Sequence, residues 1–256
     1  MNPRERIAAA LRTPQRAGEP ALVAYLTAGF PRRQSFREDL ATIARAADVV
    51  EVGVPFTDPM ADGVTIQKAS QAALAQGVSL GWILSELEAV KGLRAPLLLM
   101  SYLNPLLAFG LTRLPEAAAR AGVAGFIVPD LPLDESGELR AALEERQLAL
   151  VQMVTPVTAV ARLAELRSAS HGFVYAVTMT GTTGKSVAVP PEVLAYLDRV
   201  RSGSPLPVCA GFGIRQREQV ERLRGHVDGV VVGSALVEVL ERGADAAAFL
   251  QELRGG

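Results

Sequence analysis

Short apolar runs alternate with segments of helical periodicity eight times along this chain, and this alternation restricts the possible folds more than any other feature. The runs recur at intervals of roughly 20 to 45 residues, and Gly, Pro, Asp and Ser connect them to the helical segments. The predicted strands cover residues 22–27, 49–54, 96–102, 125–129, 148–154, 173–177, 207–210 and 229–232. The predicted helices cover residues 36–46, 66–75, 80–91, 115–121, 135–145, 160–168, 191–201, 217–224 and 235–253.

Eight strand–helix units in 256 residues match the size of one α/β barrel of the (β/α)8 TIM type, which predicts a single catalytic domain over residues 1–256. No Pro/Ser-rich linker or shift of composition divides the chain. The segment 3–11 is predicted to form an extra N-terminal helix that covers one end of the barrel. A doubly wound open sheet is the structural alternative, although the first strand–helix turn, YLTAGFP, lacks the G-x-G-x-x-G pattern of a dinucleotide-binding fold.

The overall charge gives no reason to expect nucleic acid or an acidic membrane surface as a partner, because the formal net charge is -1. The first residues, MNPRERIAAALRTPQR, carry charges among their apolar side chains and lack the apolar core of a secretory signal. No segment reaches the ~18 to 20 apolar residues of a membrane span. Cys209 is the only cysteine, which excludes an internal disulfide. We therefore expect a cytoplasmic protein.

Glu51 stands in the predicted strand 49–54, whose other residues are all Val or Gly. A carboxylate without a partner in such an apolar setting costs several kcal/mol, or its pKa rises. Alternation along the strand puts Glu51 on the same face as Gly53, so we expect it to point into the barrel. The residue pattern leaves two explanations open, which are proton transfer and a buried ion pair with one of the arginines.

Asp62 follows the same strand, in the turn before a helix that begins near Val64. On the residue pattern alone it fits a turn or N-cap role as well as a functional one.

Most other kinds of catalysis lack the residues that they need. His171 and His226 precede strands, whereas barrel enzymes carry their chemistry at the carboxyl ends of strands. Cys209 has no histidine placed to activate it, and no lysine stands in a predicted strand to form a Schiff base. Two histidines cannot supply the ligands of a metal-dependent aldolase, so no metal site is predicted. Acid/base chemistry by carboxylates, without a cofactor, is what remains.

Three glycine-bearing segments follow the predicted strands 173–177, 207–210 and 229–232. Glycine lets backbone N–H groups approach a ligand closely, and the start of a helix favours negative charge. The loops after strands seven and eight form the usual phosphate site of such barrels. The segments 181–184, 211–213 and 233–234 therefore favour a phosphate ester as substrate.

The chain closely resembles the α-subunit family of tryptophan synthase over nearly its full length. The matching motifs, in order, are AYLTAGFP, EVGVPFTDPMADGVTIQ, MSYLNPLLAFG, FIVPDLP, YAVTMTGTTG, CAGFGI and VVGSALV. This resemblance implies a TIM barrel that cleaves indole-3-glycerol phosphate into indole and glyceraldehyde 3-phosphate by a retro-aldol reaction, without a cofactor.

The resemblance also implies roles for individual residues. Glu51 would protonate indole C3 and then help to deprotonate the glycerol hydroxyl, while Asp62 would bind the indole N–H. Tyr175 would form a hydrogen bond near the reacting centre, and Thr183 would orient Asp62. The phosphate would be held by Gly184, Gly213, Gly233 and Ser234. The indole pocket would be lined by Tyr25, Met100, Tyr102, Ile127, Pro129 and Phe212.

The same resemblance implies a partner, a β subunit that carries pyridoxal phosphate, in an αββα heterotetramer. The docking loops would contain Asp58 and Pro59, Asn104 and Pro105, and the segment 130–132 with Pro132. Each of these prolines also fits a plain turn. The chain departs from the family pattern at Tyr25, Val64 and Thr182, which affects pocket shape and loop rigidity rather than the two carboxylates.

Two other functions remain open beside the α-subunit interpretation. One is a stand-alone lyase that releases free indole, and the other is a catalytically silent barrel that only activates a partner. The presence of both Glu51 and Asp62 argues against the silent barrel.

Overall fold

Eight parallel strands close into a barrel in the computed structural model, which describes residues 1–13, 18–178, 189–211 and 213–255. Neighbouring strands pair in chain order, and the first strand closes the barrel by pairing with the last, with Ala21 opposite Gly229. The (β/α)8 prediction is therefore confirmed, and the open-sheet alternative is wrong. The strands are β1 (Ala21–Thr27), β2 (Val49–Gly53), β3 (Leu97–Met100), β4 (Val123–Ile127), β5 (Ala149–Val154), β6 (Val174–Val177), β7 (Val208–Gly211) and β8 (Gly229–Val232).

Helices connect the strands around the outside of the barrel. They are α1 (Pro3–Leu11), α2 (Phe36–Ala46), α3 (Val64–Ala75), α4 (Leu80–Ala89), α5 (Leu103–Phe109), α6 (Leu114–Arg120), α7 (Gly137–Glu144), α8 (Val160–Ala169), α9 (Pro191–Arg201), α10 (Arg217–Leu223), α11 (Ser234–Glu241) and α12 (Ala246–Arg254). All nine predicted connecting segments contain helix.

Two segments differ from the sequence-based prediction. The predicted helix 235–253 is two helices, because Gly243 takes a positive φ of 65° and the Asp245 side chain caps a new helix by accepting from the N–H groups of Ala247 and Ala248. Helix α5 was not predicted, since Pro105 suggested a turn. In the structure Pro105 lies in the first turn of α5, where a proline is tolerated.

The N-terminal helix α1 covers the amino-terminal end of the barrel, as predicted. It begins with a capping box, in which the Asn2 side chain and the Glu5 side chain each accept a backbone N–H of the other residue. Its apolar residues Ile7 and Leu11 are buried in one cluster with inward-facing strand residues such as Val23. This end of the barrel is therefore filled with side chains.

Alternate strand residues face the barrel interior and the surrounding helices. In β1 the side chains of Leu22, Ala24 and Leu26 pack with the outer helices, whereas Val23 belongs to the interior cluster. Strand β2 follows the same rule, with Val50 and Val52 in the outer cluster. Glu51 is left on the inner face, as the alternation predicted.

Candidate active site

Glu51 lies inside the barrel and is 1% exposed. Strand register places it between Tyr25 on β1 and Leu98 on β3. Its Oε2 atom is buried without a hydrogen-bond partner, and no ion pair reaches it from the described part of the chain. Among the described residues, no arginine forms the buried ion pair that the sequence left open. Burial, followed by the negative charge of Asp62, raises the pKa of Glu51 to about 8.

Asp62 lies at the carboxyl end of the barrel, in the loop between β2 and α3, and is partly buried. The N-cap residue of α3 is Gly63, so the N-cap role for Asp62 is wrong. Its backbone carbonyl accepts a hydrogen bond from Gln67 Nε2 at 2.9 Å. Burial raises the pKa of Asp62 to about 6, and the nearby Tyr102 hydroxyl partly opposes that rise.

The two carboxyl groups interact, and their protonation states differ near neutral pH. The charge of Asp62 is the second cause, after burial, of the raised pKa of Glu51. Because Asp62 has the lower pKa of the two, it ionises first and Glu51 keeps its proton. This arrangement combines one proton donor with one fixed negative charge, which is the division of labour that acid/base catalysis by two carboxyls needs.

Two tyrosines accompany Glu51 in the barrel, of which Tyr25 is buried and Tyr175 is partly buried. Tyr25 pairs with Glu51 in the strand register, and its hydroxyl lies 3.2 Å from Thr27 Oγ1. Burial raises the pKa of Tyr175 well above its ordinary value, and the charge of Glu51 is the next cause. Both phenols are therefore neutral hydrogen-bonding groups at working pH. The charge of Glu51 reaches Tyr175, and the predicted role of Tyr175 stays a prediction.

Gly53 and Gly211 make room for these phenols, a packing role that the sequence analysis predicted for neither of them. A Cβ at Gly53 would lie 2.5 Å from Tyr25 Cζ, and one at Gly211 would lie 2.7 Å from Tyr175 Oη. Both glycines stand on inward-facing positions near strand ends. That combination of glycine and inward position is the signal that would have identified them.

The predicted indole-pocket residues lie at different places around the barrel mouth. Met100 packs with Tyr25 and also with the interior cluster that contains Ile127 and Tyr175. Tyr102 is buried and contacts the loop that carries Asp62. Pro129 lines a separate cavity of about 220 Å³ at the rim, between the loop after β4 and α8. Its place in an indole pocket stays a prediction.

Part of the predicted phosphate site can be described. Gly213 has a positive φ of 67°, with no atom within 4 Å of its Cβ direction, and Gly233 is the N-cap residue of α11, which begins at Ser234. Tyr25 lies next to Gly233, since a Cβ there would be 3.8 Å from the Tyr25 Cβ. The predicted residues Thr182, Thr183, Gly184 and Phe212 lie outside the described residues.

The histidines and the cysteine lie where the sequence analysis expected them. His171 Nδ1 accepts a hydrogen bond from the Leu150 N–H at 3.3 Å, and burial lowers the pKa of His171 to about 4. His226 contacts Asp198 outside the barrel, and Cys209 is buried in the interior cluster. Within residues 1–13, 18–178, 189–211 and 213–255, no group of three or more His, Cys, Asp or Glu side chains is arranged to hold a metal ion.

Comparisons with known proteins identify the family of this chain. The family model described as tryptophan synthase alpha chain matches residues 11–254. This chain belongs to the tryptophan synthase alpha chain family. The tryptophan synthase alpha chain of Nitratidesulfovibrio vulgaris (Hildenborough) is 48% identical over 94% of this chain and 95% of its own length. That of Solidesulfovibrio magneticus is 46% identical over 93% of this chain and 94% of its own length.

Solved structures agree with this membership. A structure of Mycobacterium tuberculosis tryptophan synthase has a TM-score of 0.89 at 35% identity, covering 97% of this chain and 96% of that chain. The tryptophan synthase subunit alpha of Legionella pneumophila (Paris) has a TM-score of 0.88 at 29% identity, covering 99% and 97% of the two chains. The family expected from the sequence motifs is confirmed.

Membership in the tryptophan synthase alpha chain family also confirms the expected reaction. The chain is a lyase of tryptophan biosynthesis that cleaves indole-3-glycerol phosphate. Among the described residues, no helix is long and apolar enough to cross a membrane. Of the departures from the family pattern, Val64 is the first residue of α3 and is exposed, and Tyr25 uses its hydroxyl to bind Thr27. Thr182 lies outside the described residues.

Proposed function

We propose that Glu51 and Asp62 carry out the cleavage of indole-3-glycerol phosphate at the carboxyl end of the barrel. One observation carries this proposal, which is the buried Glu51 carboxyl with an unpartnered Oε2 and a pKa of about 8, next to an Asp62 carboxyl that ionises near pH 6. No metal or cofactor takes part in the proposed steps.

The proposed reaction begins with proton transfer from the Glu51 carboxyl to C3 of the indole ring. The ring becomes an iminium cation, and the Asp62 carboxylate stabilises its positive charge by accepting the indole N–H. The Glu51 carboxylate then takes the proton of the glycerol hydroxyl next to the ring. The bond between C3 and the side chain breaks, its electron pair returns to the ring, and indole and glyceraldehyde 3-phosphate result. Glu51 ends the cycle protonated, so the protons balance.

We assign the remaining site residues to substrate positioning. Tyr175 forms a hydrogen bond close to the reacting centre, and Tyr25, Met100, Tyr102 and Ile127 form the apolar wall for the indole ring, together with Pro129 and Phe212. Aromatic and aliphatic walls suit a planar bicyclic ring. Gly184, Gly213, Gly233 and Ser234 hold the phosphate, while Thr183 orients Asp62. The backbone N–H groups at the start of α11 supply partial positive charge for the phosphate.

The test is a comparison of Glu51→Gln and Asp62→Asn with the parent enzyme, with indole release measured in single turnover. We expect each variant to lose about 10²- to 10⁴-fold in rate, because each removes an acid/base or charge-stabilising group. Phosphate affinity, measured with glycerol phosphate as competitor, should change little. Glu165→Gln, a carboxyl on the exposed face of α8, is the matched control and should retain the parent rate. A Glu51→Gln enzyme with parental activity would refute the proposal.

We also propose that the chain works as the α subunit of an αββα heterotetramer, in the cytoplasm, with pyridoxal phosphate only on the β subunit. Two loops and the start of helix α5, which lie at the carboxyl end of the barrel, support this docking face. Asp58, Asn104 and Pro132 are exposed there, and the Leu103 N–H donates to Asp130 Oδ1 at 2.9 Å, which joins the start of α5 to the loop after β4. Pro59 and Pro105 complete the face, next to the exposed apolar side chains of Met60 and Leu107.

Binding of a tryptophan synthase β subunit tests the partner assignment. Leu107→Asp should weaken binding in size-exclusion chromatography and calorimetry, because it places a charge in the proposed interface. Val160→Asp is the matched control, since Val160 is also an exposed apolar residue but lies on a different helix. If the parent binds no β subunit and cleaves its substrate at full rate alone, the stand-alone lyase is correct. If it binds the β subunit but never cleaves, the silent barrel is correct.

A further inference from the structure

The Glu238 carboxylate on helix α11 connects three elements of the barrel. It accepts two hydrogen bonds from the Arg215 guanidinium, one from Nη1 at 2.7 Å and one from Nη2 at 2.8 Å. It also accepts a hydrogen bond from the Thr65 hydroxyl at 3.3 Å. A bidentate pair of arginine and carboxylate has a fixed geometry as well as opposite charges. Glu238 therefore joins α11 to the loop after β7 and to the first turn of α3.

Both members of this ion pair are charged in the folded protein. The hydrogen bond from Arg215 lowers the pKa of Glu238, and the same contact raises the pKa of Arg215. The Arg215 side chain is 47% exposed and that of Glu238 is 29% exposed. Ion pairs with this much exposure add little to the free energy of unfolding. The contribution of the pair is therefore to local geometry.

Each end of the pair is close in the chain to a residue assigned to the phosphate. Arg215 follows Gly213 by two residues. Glu238 follows Ser234 by four residues in α11, which places both side chains on one face of the helix. The residues between Ser234 and Glu238 are all buried, whereas these two are partly exposed. The ion pair therefore lies one helical turn from the start of α11.

The segment after Gly213 is not part of a helix or strand, so side-chain contacts fix its path. Gly213 has a positive φ of 67°, and Ile214 is 1% exposed. The N–H groups of Arg215 and Gln216 donate to Gln219 Oε1 at 2.7 Å and 3.1 Å. These bonds hold the segment to the helix that follows it, α10. The Arg215 side chain holds it to α11 instead.

We propose that Glu238 is a positioning residue of the phosphate-binding site, which holds the Gly213 segment against the start of α11 through Arg215. The inference rests on the proposed function, which assigns the phosphate to Gly213, Gly233 and Ser234 among others. Two segments can bind one phosphate with their backbone N–H groups only when the distance between them is fixed. Glu238 sets that distance without touching the substrate.

The negative charge of Glu238, taken alone, has the opposite effect on phosphate binding. A carboxylate near an anion site repels the anion, so its removal strengthens binding when charge is the only factor. Removal of a positioning residue weakens binding instead. The sign of the change in affinity therefore separates the two explanations.

The experiment compares Glu238→Ala, Arg215→Ala and the double variant with the parent. Calorimetry measures the dissociation constant of glycerol 3-phosphate, and steady-state assays give KM and kcat. We expect all three variants to bind about three- to tenfold more weakly, with equal losses in the single and double variants, because the two residues act as one unit. KM should rise while kcat changes by less than about twofold. Tighter or unchanged binding in Glu238→Ala would overturn the inference, as would single effects that cancel in the double variant.

Arg217→Ala and Glu221→Ala are the matched controls. They remove the same two residue types from an exposed ion pair on α10, whose atoms are 3.2 Å apart. Both should keep the parental affinity for glycerol 3-phosphate. Urea unfolding of every variant checks that the fold is retained.

Ser234→Asp tests the phosphate assignment itself, because it places a negative charge at the start of α11. If this variant keeps the parental affinity for glycerol 3-phosphate, the phosphate assignment in the proposed function fails. If it loses affinity while Glu238→Ala does not, only the role of Glu238 is wrong.

Discussion

The phenol ring of Tyr25 lies directly over the α-carbon of Gly53, so close that a Cβ at position 53 would come within 2.5 Å of Tyr25 Cζ. Residue 53 follows Glu51 by one strand repeat, on the same inner face of β2. The absence of a side chain at position 53 therefore decides where the Tyr25 ring rests beside the acid/base carboxyl. The packing at position 53 therefore affects the surroundings of the Glu51 carboxyl.

Gly53→Ala should displace Tyr25 and disturb the site. We expect kcat/KM to fall roughly tenfold or more and the free energy of unfolding to fall by about 1 to 3 kcal/mol, the typical cost of overpacking. Steady-state assays and urea unfolding measure the two effects. Gly137→Ala is the control, because no atom lies within 4 Å of its Cβ direction and it begins a helix. Equal behaviour of the two variants would show that the Tyr25 contact does not matter.

The pH dependence of kcat/KM should be bell-shaped. Activity requires an ionised Asp62, whose pKa is about 6, and a protonated Glu51, whose pKa is about 8. The rate should therefore rise as the pH passes through about 6 and fall as it passes through about 8, with both values belonging to the interacting pair. A profile that stays flat from pH 5 to pH 9 would contradict these assignments.

The free energy of unfolding should depend on pH in a way that reports the raised pKa of Glu51. The unfolded chain releases this proton near pH 4.5, whereas the folded protein keeps it to about pH 8. Between these values the folded state binds more protons, so stability falls as the pH rises, by about 1.4 kcal/mol per pH unit from this group. Glu51→Gln removes the effect. In urea unfolding, the free energy of unfolding of Glu51→Gln should rise relative to that of the parent between pH 5 and pH 8.5. Glu165→Gln should show no such rise.

The C-terminal helix is attached to the amino-terminal end of the barrel by Asp48. Its Oδ2 accepts from the Leu22 N–H at 2.8 Å and from Arg254 at 2.8 Å, and both side chains of the pair are mostly buried. Asp48→Ala should lower the free energy of unfolding by about 3 kcal/mol, because it leaves a buried charge and a buried N–H group without this partner. Glu116→Ala, which breaks an exposed pair with Arg120, should cost less than about 1 kcal/mol. Similar losses in the two variants would contradict this account.

Much of the fold follows from local pattern. Each buried parallel strand is a mostly apolar run, and each intervening helix has apolar residues on one face, so all eight strands were predicted close to their observed bounds. In two segments, a local signal in the sequence was misleading. Pro105 suggested a turn but is accommodated in the first turn of α5, and Asp245 starts a new helix inside what reads as one amphipathic segment.

The two carboxyls show how much of the candidate site the sequence predicts. The position of Glu51 in an apolar strand already indicated an unusual carboxyl, and strand alternation gave its direction. Asp62 lies in a turn, where the sequence has no periodicity from which the direction of a side chain can be predicted. Its proximity to Tyr102 therefore became visible only in the tertiary structure. The sequence indicated no packing role for Gly53 or Gly211, which became evident only when the phenols next to them were located.

The sequence by itself determined the order of strands and helices, the inward direction of Glu51 and the family, because these depend on local periodicity and on contiguous motifs. Tertiary structure alone decided which groups surround the two carboxyls. The pKa of Glu51 depends on burial and on the nearby charge of Asp62, and that of Asp62 depends first on burial and then on a phenol forty residues farther along the chain. Burial and hydrogen bonding arise from closure of the barrel, which brings distant segments into contact and excludes water from the site between them.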